Sequence, residues 1–213
     1  MGVIWTSYKD RDEWLTHRDG IGASDSGAVC GCGFKTPVQL WREKMQIDKP
    51  KDISGNPRVQ FGNDIEEPLR SLYRVMHPEN TLDFTPYTIL RRDDHHQFMF
   101  STPDGWLTET GTGRRGLYES KSSTCLSAHD WNEWKDKVPM GYFCQICHSM
   151  FVGDFEFAEI FAILRNKDND AELRLYHFER DDVAEDIDWI VRKEETFYDS
   201  MVRGIMPAMP LML

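Results

Sequence analysis

No stretch of the 213-residue chain approaches the ~20 consecutive apolar residues that a membrane-spanning helix requires, so the sequence predicts no membrane segment. The first twelve residues contain no apolar core and include Lys9, Asp10, Arg11 and Asp12, which predicts no secretory signal. Internal repeats, low-complexity tracts and linker-like runs are absent, and one domain over residues 1–213 is expected. Positive charge is also scarce. The formal net charge is −11, which on its face speaks against a polyanionic partner. The distribution weakens that exclusion. Residues 151–200 hold 15 Asp/Glu against 6 Lys/Arg, whereas the rest of the chain holds 21 against 19. A near-neutral face with clustered arginines can still bind phosphate locally.

Cysteine is sparse, with five residues. Cys30-Gly31-Cys32 and Cys144-Gln145-Ile146-Cys147 have spacings compatible with a four-thiolate zinc or iron–sulfur site. Cys144 and Cys147 fall in the apolar stretch 142–152, however, where a free cysteine serves as a small hydrophobe, and that role is the expectation. A disulfide-free protein of a reducing cytosol follows.

What the chain does contain is a split acidic constellation ending in a lysine: Thr102-Pro103-Asp104-Gly105, then Glu119-Ser120-Lys121. Two carboxylates and an ammonium suit metal-assisted cleavage of a phosphodiester, because Mg²⁺ is a hard cation that takes one or two carboxylates together with water and phosphate oxygens. Side chains alternate along a strand, so Glu119 and Lys121 should share one face while Ser120 points away, its carbonyl available as a ligand.

The periodicity predicts helices over 10–17, from an N-cap at Ser24 to about Cys30, over 38–45, and over 58–76 with an apolar stripe of Phe61, Ile65, Leu69, Leu72 and Met76. Pro68 within the last of these implies a kink or a start. Strands are expected over 84–91, 97–101, 105–108 and 116–121, the last two joined by Gly111-Thr112-Gly113. Helices over 127–135 and 140–152, a hairpin of strands 155–164 and 172–179, and a helix over 183–203 complete the pattern. This is an α/β chain with a central mixed sheet. Leu15 and the tryptophans, Trp189 included, are assigned mostly to the core, His95, His96 and His148 to core or surface roles, and the apolar tail 206–213 to packing on the body, a neighbouring subunit or a partner.

The order of motifs resembles the phage lambda exonuclease / YqaJ-type viral recombinase nucleases. Arg18 with Ile21-Gly22-Ala23-Ser24-Asp25 looks like their N-terminal motif, and Phe61-Gly62-Asn63-Asp64-Ile65-Glu66-Glu67-Pro68 like their glycine-to-glutamate helix. Ser101-Thr102-Pro103-Asp104-Gly105 is similar to their aspartate turn, with Thr102 in place of serine. Glu119-Ser120-Lys121 is similar to their E-x-K step, and residues 142–150 to their glutamine-bearing helix. The match spans residues 14–152.

The resemblance implies a restriction-endonuclease-like core and a Mg²⁺-dependent nuclease, with Mn²⁺ as a substitute, that digests one strand of a double-stranded DNA end from 5′ to 3′. It implies a homotrimeric ring, a phage single-strand annealing protein as partner and the cytoplasm of a bacterial host. It assigns Asp104, Glu119 and the Ser120 carbonyl to the metal, Lys121 to the attacking water, Glu66 to a place beside Lys121, and Gln145 to the scissile region. Arg18, Ser24 and Thr102 would hold a terminal 5′-phosphate, and Lys35 and Val59 would lie near the DNA. The other readings are an endonuclease or iron–sulfur nuclease on the same core, and a non-catalytic module that binds DNA ends.

Overall fold

The computed structural model describes residues 2–208, and its elements sort into two sheets and the helices around them. The chain enters through β1 (Val3–Ser7), a strand that the sequence reading does not anticipate. The α1 helix (Arg11–Thr16) starts where the Asp10 carboxylate accepts from the Glu13 N–H at 3.0 Å. The short β2 (Ile21–Gly22) leads into a 3-10 turn over Ala23–Asp25 and then α2 (Ser26–Val29). Thr36 and Gln39 cap each other's backbone at the start of α3 (Pro37–Lys44). The long α4 (Pro57–Met76) opens on Asn56, whose side chain accepts from the Arg58 N–H, with Pro57 at the first helical position.

Five strands follow: β3 (Asn80–Asp83), β4 (Thr88–Arg92), β5 (Met99–Ser101), β6 (Gly105–Glu109) and β7 (Arg115–Thr124). Then come α5 (Ala128–Glu133), α6 (Met140–Gly153), β8 (Phe157–Arg165), β9 (Ala171–Glu179) and α7 (Ala184–Val202). One sheet runs β1-β4-β5-β2, the other β3-β6-β7-β8-β9. The pairs β2/β5 and β7/β8 are parallel and the others antiparallel.

Alternation along β7 divides the core. Leu117 joins Ile146, Met150, Ile160, Ile187 and Ile190 in the cluster around α6 and α7. Its neighbour Tyr118 joins Leu69, Tyr73, Leu107 and Phe161 under α4 on the other face. The α6 helix is therefore enclosed on most sides, with Ile146, Cys147, His148 and Met150 fully buried. Its N-terminus is seated against α2 through glycines: a Cβ on Gly27 would come within 2.9 Å of the Gly141 Cα, so the close approach requires glycine there. Among the described residues no helix is long and apolar enough to cross a membrane.

Several expectations are corrected. The strand expected over 84–91 is half turn: residues 84–87 link β3 of one sheet to β4 of the other, and strand begins only at Thr88. Tyr87, at φ 57°, makes a left-handed turn between β3 and β4 that a β-favouring stretch conceals. Ser24 does not cap a helix; it lies exposed inside the 3-10 turn, and Asp25 accepts from the Gly22 N–H instead. The buried face of α4 is Leu69, Arg70 and Tyr73, while Leu72 and Met76 are exposed. The Tyr73 hydroxyl donates to the buried Glu159, and this anchor rotates the helix about one residue away from the expected stripe. Pro68 does not start α4; it lies exposed inside the helix, which opens at Pro57. Leu15 and Trp189 are exposed. Of the apolar tail, residues 206–208 are exposed or half-buried extended chain, and the remainder lies outside the described residues.

Candidate active site

The turn between β5 and β6 and the middle of β7 bring the acids together. Register pairs Gly105 with Tyr118, which sets Asp104 beside Glu119 and Ser120. Asp104 Oδ2 accepts from both the backbone N–H and the Oγ of Ser120, at 2.9 and 2.8 Å. The hydroxyl of Ser120, which the alternation sends to the α4 side, thus fixes the carboxylate. Glu119 and Lys121 share the opposite face as expected, and Lys121 Nζ donates to Glu119 Oε1 at 2.6 Å. Gln145, from the middle of α6, donates to the same oxygen at 2.5 Å. Glu66, halfway along α4, lines the same cleft of about 230 Å³ with Val59, Lys121 and Tyr142.

The electrostatics follow from burial. Desolvation, reinforced by the Asp104 charge, pushes Glu119 up to about 7. Glu66 is raised to about 7 by the same two causes, with Arg70 and Lys121 acting against them. Burial works to lower Lys121, but Glu119 and Asp104 more than offset it and leave the ammonium above its ordinary value. Glu66 and Glu119, both raised in part by the Asp104 charge, form with Asp104 a set of oxygen donors suited to a hard divalent cation.

Two residues absent from the sequence-derived set belong to this arrangement. Arg70 is buried, bonds Glu67 at 2.9 Å, stacks 3.9 Å over the Phe84 ring and donates to the Asp104 carbonyl at 3.2 Å. Its signal was its spacing: Arg70 is one turn beyond Glu66 and shares its face. Tyr142 places its ring 5.1 Å from Lys121 Nζ, and it lies three residues before Gln145 on α6.

The remaining candidates divide. Parallel pairing of β2 with β5 sets Gly22 opposite Phe100, so Ser24 and Thr102 both emerge just beyond the paired ends. Arg18 lies 4.3 Å over Trp14 and 5.7 Å from the Phe100 ring, and its Nε is buried without a hydrogen bond among the described residues. Burial lowers its pKa while Asp25 acts to raise it. Val59 is half-buried on the cleft wall, next to Glu66 rather than projecting into solvent. Lys35 is held by Glu43, outside the acid cluster.

The cysteines are free. Cys144 and Cys147 pack in the core, in keeping with the hydrophobe reading, and Cys32 Sγ lies 3.6 Å from Cys144 Sγ. Burial and the neighbouring thiol push Cys32 up to about 12.

A mixed sheet of restriction-endonuclease-like fold, with Glu119 and Lys121 on its central strand and Asp104 on the adjoining turn, is that of a nuclease. Residues 13–156 match the model of the YqaJ-like viral recombinase domain, and the chain belongs to that family. Among solved structures it is similar to an alkaline exonuclease (LHK-Exo) from Laribacter hongkongensis, with 17% identity, TM-score 0.67, and 91% of this chain and 94% of that one covered. LHK-Exo in complex with dAMP superposes with TM-score 0.63 at 16% identity, over 91% of this chain and 94% of the other. A phage related exonuclease from Haemophilus somnus 129PT gives TM-score 0.58 at 16% identity, over 90% and 99%. At these identities the likeness concerns the fold. No curated protein sequence matches the chain.

Proposed function

We propose that this chain, acting as one nuclease domain, is a Mg²⁺-dependent exonuclease that digests one strand of duplex DNA from the 5′ end and leaves a 3′ single strand for annealing. The observation that carries the reading is the meeting of α4, the β5–β6 turn, β7 and α6 around one cleft: Glu66, Ser120 and Lys121 line it, Asp104 bonds Ser120, and Glu119 bonds Lys121 and Gln145. Asp104, Glu119 and the Ser120 carbonyl would hold Mg²⁺ or Mn²⁺. When bound, the ion polarises the phosphoryl oxygen and lowers the pKa of water.

The protein's own groups do the rest. Lys121, released from Glu119, orients the attacking water and offsets charge on the phosphate. Gln145 bonds the nucleophile or the scissile phosphate. Glu66 keeps Lys121 in place. Ser120 keeps the Asp104 carboxylate from rotating. Arg18, together with Ser24 and Thr102, receives the terminal 5′-phosphate, the guanidinium being a planar donor suited to bidentate phosphate contact. Phosphate recaptured at each step favours end-directed digestion. Polarity, a trimeric ring and an annealing-protein partner rest on the resemblance to the lambda exonuclease type.

The decisive experiment uses linear duplex labelled at either the 5′ or the 3′ end, together with closed circular DNA, in Mg²⁺ and in EDTA. Mg²⁺-dependent early release of the 5′ label with circles intact is the expected result. Cut circles would make the enzyme an endonuclease. End binding without cleavage would make it a binding module.

A further inference from the structure

The turn between β4 and β5 gathers a second polar cluster, built from different residues on the four-stranded sheet. Asp94, His95 and His96 present potential ligand atoms within 4.8 Å of one another, the one such group of three among the described residues. The α7 helix adds Glu195, whose Oε1 lies 2.9 Å from His96 Nε2 and 3.9 Å from His95 Nε2. Ligands 2.0–2.2 Å from a tetrahedral ion stand roughly 3.4 Å apart, so the two observed separations bracket the required one.

The chemistry of His96 sharpens the point. Its Nδ1 lies 3.0 Å from Asp94 Oδ1, and its Nε2 faces the Glu195 oxygen. Both ring nitrogens therefore meet acceptors, and a neutral imidazole carries one hydrogen. A metal ion between Nε2 and Glu195 would satisfy both of them. Asp94 is itself fixed, because Arg92 Nε donates to its other oxygen at 2.7 Å and the His96 backbone N–H to Oδ1 at 2.8 Å. A carboxylate that orients a histidine through Nδ1 and leaves Nε2 outward is the usual support of a metal-bound imidazole. The His96 ring is further held edge-on to Phe151, at 4.9 Å, at the end of α6.

We propose that Asp94, His95 and His96, with Glu195 reaching in from α7, form a second metal site that takes a borderline transition ion such as Zn²⁺ or Co²⁺ and pins the β4–β5 turn to α7. Two imidazoles and one carboxylate favour such ions over Mg²⁺, which prefers an all-oxygen set. The site is independent of the nuclease reading.

The test adds Co²⁺ to the full chain in saturating Mg²⁺ and follows the histidine imidazole resonances by NMR. Paramagnetic broadening of His95 and His96 within the first equivalent, with His148 and His177 spared, is expected. Asp94→Asn should weaken Co²⁺ binding about 10- to 100-fold, and His95→Ala at least comparably, with nuclease turnover unchanged in both. Resonances of His95 and His96 that stay sharp would overturn the proposal. An affinity indifferent to His95→Ala would overturn it equally.

Discussion

Lys121 and Gln145 donate to the same atom, Oε1 of Glu119, from a strand and from a helix on opposite sides of it, at 2.6 and 2.5 Å. One carboxylate oxygen thus keeps both side chains in place. A group that binds Glu119 frees both donors together, so the two are coupled through a shared acceptor.

Lys121→Ala is expected to lower the rate of cleavage by about 10²- to 10⁴-fold, the range for loss of a positioned proton-handling group. Binding of duplex ends, measured by anisotropy in Ca²⁺, should stay within a few-fold of the unaltered protein. Near-normal single-turnover rates would remove Lys121 from the chemical step.

Ser120→Ala removes the hydroxyl that holds Asp104 Oδ2 and keeps the backbone donor. The expected effect is a higher Mg²⁺ requirement, by about 10-fold, at nearly unchanged maximal rate. A Mg²⁺ titration that superposes on that of the unaltered protein would show that the hydroxyl does not orient the acid.

The pH dependence of stability has a definite sign. Glu66 is held at about 7 in the folded protein against 4.5 as a reference, so the metal-free protein loses stability as pH rises from 4.5 through 7. Glu66→Gln removes that loss. In EDTA at pH 8 its Tm should exceed the parent's, by an amount equivalent to about 1 kcal/mol after allowance for partial exposure, and the gap should close by pH 5. Equal melting curves at pH 8 would mean that Glu66 is freely solvated.

Arg18→Ala is expected to reduce the preference for a 5′-phosphorylated over a 5′-hydroxyl end, read as the ratio of kcat/KM for the two substrates. An unchanged ratio would place phosphate recognition elsewhere.

The fully buried His148 gives a second pH test of the same sign. Burial acts to lower its pKa, but Glu194 at 2.8 Å and the Phe100 carbonyl raise it above the ordinary value. The stabilisation is complete below about 6.5 and is lost as pH rises through the higher folded value. Replacing His148 with Gln should therefore flatten the alkaline fall of Tm; a fall of the same steepness would assign it to other groups.

The parts of the site that were readable from sequence are those set by local geometry. The Glu119–Lys121 pair follows from the period of a strand, and the stop at Gly111-Thr112-Gly113 follows from the positive φ of both glycines. The parts that were not readable depend on tertiary contacts. Nothing in residues 84–91 announces that Tyr87 turns left-handed and sends the chain into a second sheet. The rotation of α4 depends on a hydroxyl of Tyr73 reaching Glu159, 86 residues away. Ser24 is an excellent cap by composition, but Asp25 takes the backbone donor first. Arg70 and Tyr142 act through a carbonyl and a ring face; their spacing from Glu66 and Gln145 marks the shared helix face but not those contacts.

β7 is an inner strand, hydrogen-bonded to β6 along one edge and to β8 along the other. Local opening of Glu119 or Lys121 requires that one of these neighbours peel away, which amounts to losing the sheet. Amide exchange at these positions should be among the slowest in the chain, and heat inactivation should coincide with global melting. A partly unfolded form that keeps this sheet therefore keeps Glu119 and Lys121 in place.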